Sequence, residues 1–202
     1  MAAFPGIINV ALADLTQQPY ECIVNAANGI GPMGRGIAGA LKRAGGEVVQ
    51  SDAFSVCKQH SFVDNLGKTR VGYSAGQAYM VTSGRLKDIG VKNIICAVTM
   101  HQPNDPTNVE ICKKALHSAM EIVLKQGFKS VGFPAFGTGV GKLDKVEVAN
   151  MMVTELDVYK KAVEIHINDI DRDFIIACAK KQQEIEGWDD KDHPHPFLRK
   201  TE

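Results

Sequence analysis

The sequence predicts an α/β layer fold built on a mostly parallel sheet. Short β-branched runs alternate along the chain with segments of helical periodicity, which favours strands joined by helices. Two glycine-rich segments each follow a predicted strand and precede a predicted helix. Ligands of such sheets bind beyond the carboxyl ends of the strands, so we expect both segments to line the same crevice.

The first half of the chain is predicted to form two strands and two helices. β-Branched residues indicate the strands, and Gly45 and Gly46 are expected to end the first helix. The predicted elements, in order, are strand 7–12, strand 22–25, turn-rich segment 26–36, helix 37–44 and helix 47–59.

The second half has the clearest helix, because apolar residues recur at three- and four-residue steps over 109–124. Pro134 is expected to end the strand before it, and Asp171 is a candidate N-cap for the last helix. The predicted elements are strand 77–82, strand 94–98, helix 109–124, strand 130–133, helix 145–159, strand 162–167 and helix 171–184.

Composition limits the class of protein. The 202 residues include 45% hydrophobic residues, and 23 Lys and Arg balance 23 Asp and Glu, which excludes a generally basic surface for duplex nucleic acid. Five widely spaced cysteines predict no disulfide framework. We expect a monomeric cytoplasmic protein without a membrane span, a metal or a cofactor, with one domain over 1–184 and a polar tail over 185–202. His193 and His195 in that tail are too weak a pattern to predict a metal site.

The first glycine-rich segment is residues 25–36 (NAANGIGPMGRG), with four glycines after Asn28. Glycines let backbone N–H groups point together into an anion-binding concavity, and the helix predicted from Ile37 adds its positive N-terminal end. The Asn28 amide both donates and accepts, which suits a sugar diol. The alternative is an ordinary turn that asparagine and glycine favour.

The second segment is residues 133–141 (FPAFGTGVG), in which three glycines alternate with a threonine and a valine. It matches neither a P-loop nor a dinucleotide fingerprint, because no Gly-Lys-Ser/Thr follows and the glycine spacing differs. Its backbone is still suited to phosphate. Two such loops together indicate a diphosphate held between them. Asp14, after the first strand, is either a solvated or turn-capping acid or an acceptor for an exocyclic amine such as that of adenine.

Four blocks in this order and spacing resemble the macro domain: ADL at 13–15, IVNAAN at 23–28, GRGIAGA at 34–40 and PAFGTG at 134–139. The match runs from about residue 7 to residue 176. The resemblance implies a three-layer α/β/α sandwich with a mixed, mostly parallel central sheet. It also implies binding of ADP-ribose, free or as an end group on protein, nucleic acid or a metabolite.

The resemblance also implies site residues. Asp14 would contact the adenine amino group beside the Leu15 backbone, and Asn28, the candidate catalytic residue, would hydrogen-bond the distal ribose. Asn168 takes the place of an aromatic that packs on adenine in many members, so adenine is expected to bind more weakly or to use another side chain. The remaining implied ligand-binding residues are Ala26, Gly34, Arg35, Gly36, Ile37, Ala38, Pro134, Gly137, Thr138, Gly139, Val140 and Gly141.

Some positions depart from the family pattern. Arg35 replaces a glycine, and its side chain either pairs with phosphate or points to solvent. Ala38 stands where the hydrolase branch has a water-orienting acid. Met100 and Gly141 stand where a DNA-acting branch has a lysine nucleophile and its acidic partner, so a covalent lysine mechanism is not expected.

His101 and Asp105, on the loop after strand 94–98, either reach the cleft or are solvated. The favoured function is hydrolysis of ester-linked ADP-ribose or deacetylation of O-acetyl-ADP-ribose, because Asn28 and both loops are intact. The alternatives are a non-catalytic reader of ADP-ribose marks and an ADP-ribose 1″-phosphate phosphatase. A nucleic-acid-binding module has the least support, given the zero net charge.

Overall fold

A computed structural model of the protein describes residues 6–188. Within that range the chain forms eight strands, five α-helices and two 3₁₀ turns, Leu15–Gln17 and Gly84–Ile89. The strands are β1 (Asn9–Leu12), β2 (Cys22–Asn28), β3 (Ser61–Val63), β4 (Thr69–Val71), β5 (Ala78–Thr82), β6 (Asn93–Met100), β7 (Ser130–Phe133) and β8 (Glu164–Asp169). The helices are α1 (Gly36–Gly45), α2 (Glu47–Lys58), α3 (Val109–Gln126), α4 (Lys145–Asp157) and α5 (Arg172–Glu186).

Six strands form one mixed sheet in the order β1-β8-β7-β2-β6-β5. Every neighbouring pair is parallel except β5 and β6, which are antiparallel at one edge. The carboxyl ends of β1, β2, β6, β7 and β8 therefore meet at one side of the sheet. The loops that follow these strands are brought together there.

Helices cover both faces of the sheet, as the alternation along β2 shows. Cys22 and Val24 are buried in the cluster that α3, α4 and α5 complete, whereas Ile23 and Ala27 are buried with α1 and α2. Successive side chains of a strand point to opposite faces, so a strand buried on both sides reads as a continuous apolar run. The three-layer α/β/α fold with a mixed, mostly parallel sheet is confirmed.

Some element boundaries differ from the sequence-based prediction. β2 does not end at residue 25 but runs through Asn28, because Asn25, Ala26 and Ala27 pair with Cys96, Ala97 and Val98 of β6. The first three residues of the segment predicted to be turn-rich therefore belong to the sheet.

The last helix begins as expected. Asp171 caps α5, since its side chain accepts hydrogen bonds from the backbone of Asp173 and Phe174. α5 continues through Glu186, so the first two residues of the tail expected over 185–202 belong to this helix. Residues 189–202, with His193 and His195, lie outside the described residues.

The β3–β4 hairpin was not predicted, because three-residue strands show too little alternation to be recognised. Its turn depends on Asp64, which accepts hydrogen bonds from the backbone N–H groups of Leu66 and Lys68, both at 2.9 Å. Arg70 donates to the other carboxylate oxygen at 2.8 Å. The hydrogen bonds from Lys68 and then from Arg70 lower the pKa of this carboxyl group.

Between residues 6 and 188, no helix is long and apolar enough to cross a membrane.

Candidate functional site

A cleft of about 910 Å³ opens at the carboxyl ends of the parallel strands. The loops after β1, β2, β6, β7 and β8 line it, and the structure brings all the sequence-predicted site residues to its walls. These are Asp14, Leu15, Ala26, Asn28, Gly34, Arg35, Gly36, Ile37, Ala38, Pro134, Gly137, Thr138, Gly139, Val140, Gly141 and Asn168.

Asn28, the last residue of β2, uses most of its side chain to fold the loop that follows. Its Oδ1 accepts hydrogen bonds from the N–H groups of Ile30 at 3.1 Å and Gly31 at 2.9 Å. Its Nδ2 donates to the Pro32 carbonyl at 2.8 Å. An amide oxygen has two lone pairs and an amide nitrogen two protons, so one N–H remains for a ligand. Asn28 can therefore donate to a sugar hydroxyl, but its oxygen is already occupied.

The position of Asn28 is fixed by close backbone packing beside it. Gly29 donates its N–H to the carbonyls of Met100 at 3.1 Å and His101 at 2.9 Å, and accepts from the Tyr73 N–H at 2.9 Å. A Cβ at Gly29 would lie 1.9 Å from the Tyr73 carbonyl oxygen, so only glycine fits. The Tyr79 hydroxyl donates to the Asn28 carbonyl at 3.1 Å.

The start of α1 presents unpaired donors to the cleft. Within residues 6–188, the backbone N–H groups of Gly36, Ile37 and Ala38 donate to no protein acceptor, as expected for the first turn of a helix. Such a turn favours an anion. Arg35 precedes the helix at the cleft rim, and its exposed guanidinium has no partner in the described part of the chain. It is therefore available to an anionic ligand.

The second glycine loop offers a similar set of donors. It folds back on itself, since Lys142 and Leu143 donate their N–H groups to the carbonyls of Gly139 at 3.2 Å and Gly137 at 3.1 Å. The N–H groups over residues 138–141 have no protein acceptor within the described range. Gly137 has φ +70°, and a Cβ there would lie 2.7 Å from Leu143 Cδ1. Gly139, in contrast, has no atom within 4 Å of the place a Cβ would take.

Asp14 lies at the other end of the cleft, after β1. Its Oδ1 accepts two hydrogen bonds from Thr16, one from the backbone N–H and one from the hydroxyl, each at 2.8 Å. This carboxylate oxygen caps the 3₁₀ turn that follows. The Oδ2 atom accepts from no group in residues 6–188, so it is free for a ligand donor. The turn-capping role and an acceptor role are thus compatible.

Asn168 lines the same end, but its side chain is directed into the protein. It lies inside β8, not after the last strand as predicted, and is 2% exposed. Its Oδ1 accepts from the Tyr20 hydroxyl at 2.8 Å, and its Nδ2 donates to the Ala11 carbonyl at 3.4 Å. The apolar side chain exposed beside it is Ile170, 80% exposed, which sequence reasoning missed.

The Tyr20 ring that holds Asn168 stacks on His166, with ring centroids 4.0 Å apart. Burial lowers the pKa of His166, and the hydrogen bond from its Nε2 to Glu164 at 2.6 Å opposes this only in part. An unfolded histidine titrates near pH 6.5, so just below that pH the unfolded chain binds more protons than the folded one. Stability is therefore lost as the pH falls below about 6.5 and through the lower folded pKa.

We expect the free energy of unfolding to decrease as the pH is lowered from about 7 to about 5, and His166→Gln to flatten this dependence because it removes the titrating ring. Urea denaturation at several pH values measures both. An equal pH slope in the two proteins would contradict the assignment to His166.

His101 and Asp105 do not line the cleft, whereas Met100, the last residue of β6, does. Ala38, Met100 and Gly141 all line it, and none of these three residues is ionisable. Arg43 of α1 also lines the cleft and was not predicted, since nothing in its sequence context distinguishes it from a surface arginine. No group of three or more His, Cys, Asp or Glu side chains in residues 6–188 is arranged to hold a metal ion.

The Macro domain family model matches residues 24–152, a span that contains both glycine loops. The chain belongs to the macro domain family. An uncharacterized protein of Aquifex aeolicus is 34% identical over 86% of this chain and 96% of its own length. The ADP-ribose glycohydrolase MACROD1 of Rattus norvegicus is 25% identical over 88% of this chain and 62% of that protein. The Oceanobacillus iheyensis macrodomain with ADP has the same fold, with a TM-score of 0.71 at 20% identity, covering 87% of this chain and 90% of that one.

Proposed function

We propose that the cleft binds ADP-ribose through its diphosphate. The observation that supports this is that two loops carry backbone N–H groups without protein acceptors, on residues 36–38 and 138–141, along the walls of one cleft. Clustered N–H groups and a helix N-terminus attract anionic oxygens. A volume of about 910 Å³ is enough for a dinucleotide-sized ligand.

The polar groups at the cleft walls determine the orientation of the bound ligand. Asp14 accepts the adenine amino group with its free Oδ2, and Ile170 supplies apolar contact where Asn168 does not. Asn28 donates its remaining amide proton to the distal ribose. The exposed Arg35 side chain adds a positive charge at the rim beside the diphosphate.

Asp14→Ala is expected to weaken ADP-ribose binding about tenfold, since a hydrogen bond to a charged group contributes roughly 1.5–3 kcal/mol and this carboxylate is exposed. The loss should be smaller for the inosine analogue, which has no exocyclic amine. Calorimetric titration of both ligands measures the difference. Equal losses for the two would show that Asp14 acts through the 3₁₀ turn rather than on adenine.

We further propose that the protein hydrolyses ester-linked ADP-ribose, including O-acetyl-ADP-ribose, slowly. The carboxylates that line the cleft are those of Asp14, after β1, Asp169, at the end of β8, and Asp171, after β8. None of them lies in the loop that follows Asn28. The catalysis therefore relies on an oriented water and on backbone N–H groups that stabilise developing charge. General acid–base catalysis contributes about 10²–10⁴-fold in other enzymes. Among the residues that line this cleft, none next to Asn28 has a side chain that could act as the acid or base.

The test is multiple turnover on a protein ADP-ribosylated on glutamate, with free ADP-ribose as the product measured. Turnover that Asn28→Ala abolishes supports hydrolysis. Tight binding without turnover on glutamate-linked or acetyl-linked substrates supports a reader of ADP-ribose marks. That alternative is favoured by Ala38 and Met100, which give the cleft neither an acid nor a lysine at these two positions. Phosphate release from ADP-ribose 1″-phosphate identifies the phosphatase activity instead.

We propose that the protein acts as a cytoplasmic monomer whose partners are ADP-ribose or molecules that carry it. All five cysteines are free and buried, which fits a reducing compartment. The proposed functional domain is residues 1–184, and residues 185–202 are proposed as a polar tail.

A further inference from the structure

A second groove of about 720 Å³ lies next to the cleft, between the β3–β4 hairpin and the loop after β6. We propose that this acceptor groove binds the acidic polypeptide segment to which the ADP-ribose is attached. The inference rests on the proposed function, because the ADP-ribose anchors that segment. The lining of the groove includes Phe62, Asp64, Arg70, Ala75, Asp105 and Lys114.

The cleft and the acceptor groove share one wall. Met100, at the end of β6, and Pro103 and Asn104, in the loop that follows, line the cleft. His101, Gln102 and Asp105 of the same loop line the groove. An acceptor attached at the Asn28 end of the cleft has only this short loop to cross. The groove is therefore a concave surface within reach of the residues on either side of the modified one.

The shared wall is held in place at the Asn28 end. The carbonyls of Met100 and His101 both accept the Gly29 N–H, next to Asn28 in the chain. The His101 Nδ1 donates to the Tyr73 carbonyl at 3.0 Å, which leaves its Nε2 without a partner in residues 6–188. Since these bonds join the loop to Gly29, directly after β2, and to Tyr73, two residues after β4, the cleft and the groove are positioned as one unit.

Lys114 is the positive charge of the acceptor groove that has no counterion. Arg70 is paired with Asp64 at 2.8 Å, and Asp105 accepts the Gln102 N–H at 2.8 Å. The exposed Lys114 amine has no ion-pair or hydrogen-bond partner anywhere in residues 6–188. Its stem passes over Gly76, where a Cβ would lie 3.2 Å from Lys114 Cβ. An acidic side chain of the acceptor would supply the missing counterion of Lys114.

The composition of the groove favours a polypeptide over a nucleic acid. The carboxylates of Asp64 and Asp105 would repel a continuous phosphate backbone, whereas a peptide can place a carboxylate at Lys114 and other groups near these acids. Phe62, whose ring meets the His101 ring edge-on at 5.1 Å, and Ala75 add apolar surface for side chains. Nucleic-acid sites instead depend on several unpaired cations.

The experiment compares free ADP-ribose with a short glutamate-rich peptide that carries ADP-ribose through a non-hydrolysable linkage. We expect the peptide to bind the wild-type protein more tightly than free ADP-ribose. Lys114→Glu should weaken peptide binding about threefold to fivefold, the upper end of the range for one exposed ion pair, and change the affinity for free ADP-ribose less than about twofold. A lysine-rich peptide should show the opposite response to Lys114→Glu.

The matched control is Lys125→Glu, which makes the same charge change on the same helix, in its last turn and outside the groove. Equal effects of the two variants on peptide binding would overturn the proposal, as would a peptide that binds no more tightly than free ADP-ribose. A Lys114-dependent preference for an ADP-ribosylated oligonucleotide would also overturn it and assign the groove to nucleic acid. Wild-type protein that binds no ADP-ribose would instead overturn the proposed function on which it rests.

Discussion

Gly139→Glu is expected to remove measurable ADP-ribose binding while leaving the protein folded. Gly139 lines the cleft within the loop of free N–H groups, and nothing lies within 4 Å of the place its Cβ would take. The new side chain therefore fits the backbone but brings a carboxylate to the diphosphate. Like charges in an interface cost several kcal/mol, so we expect a loss of at least about a hundredfold. Calorimetry measures the affinity, and thermal denaturation measures the fold.

Gly139→Gln is the matched control, because it has the same size without the charge and should lose less affinity. Gly137 is a poorer choice for this test. Its φ of +70° and the 2.7 Å approach to Leu143 would make any side chain there strain the loop. Unchanged affinity in Gly139→Glu would show that no phosphate approaches the second loop.

Asn28→Ala is expected to have the second large effect, on both stability and binding. The substitution leaves the N–H groups of Ile30 and Gly31 and the Pro32 carbonyl without their partner. Unpaired, partly buried groups of this kind cost roughly 1–3 kcal/mol, so we expect a stability loss of about 2 kcal/mol. Because the first loop then loses its geometry, ADP-ribose binding should weaken by about tenfold or more. Urea denaturation and calorimetry give the two values.

Asn28→Asp separates the two roles of this residue. Aspartate keeps acceptors for Ile30 and Gly31 but loses the donor to Pro32 and the amide proton that faces the ligand. We expect it to be more stable than Asn28→Ala and still weak in binding. Wild-type stability in Asn28→Ala would contradict the proposed role in folding the loop.

The sequence predicted the elements that depend on local pattern. The apolar run in β6 and the periodicity of α3 are present in the structure with longer bounds. β6 is buried along nearly its whole length, and α3 buries the face that carries its periodic apolar residues. Both glycine loops could be predicted because a ligand reaches backbone N–H groups where the residues after a strand are small. Their meeting in one cleft followed from the parallel order of the strands.

Contacts between distant residues were beyond sequence reasoning. Asn168 is held by Tyr20, 148 residues away, so its burial has no local signal. The bonds of Asn28 to its own loop depend on the backbone path around Pro32, which only the structure gives. The loop after β6 has one side towards the cleft and the other towards the acceptor groove, and the groove side is formed together with the β3–β4 hairpin. The strands of this hairpin are too short to predict from sequence.

Calorimetric titration with ADP-ribose, with AMP as the comparison ligand, tests the central claim most directly. AMP contains the adenosine that Asp14 would recognise but lacks the second phosphate and the distal ribose. We predict one binding site for ADP-ribose, with micromolar or tighter affinity and clearly weaker binding of AMP. An absence of binding, or AMP bound as tightly as ADP-ribose, would contradict a cleft in which two loops of free N–H groups hold the diphosphate.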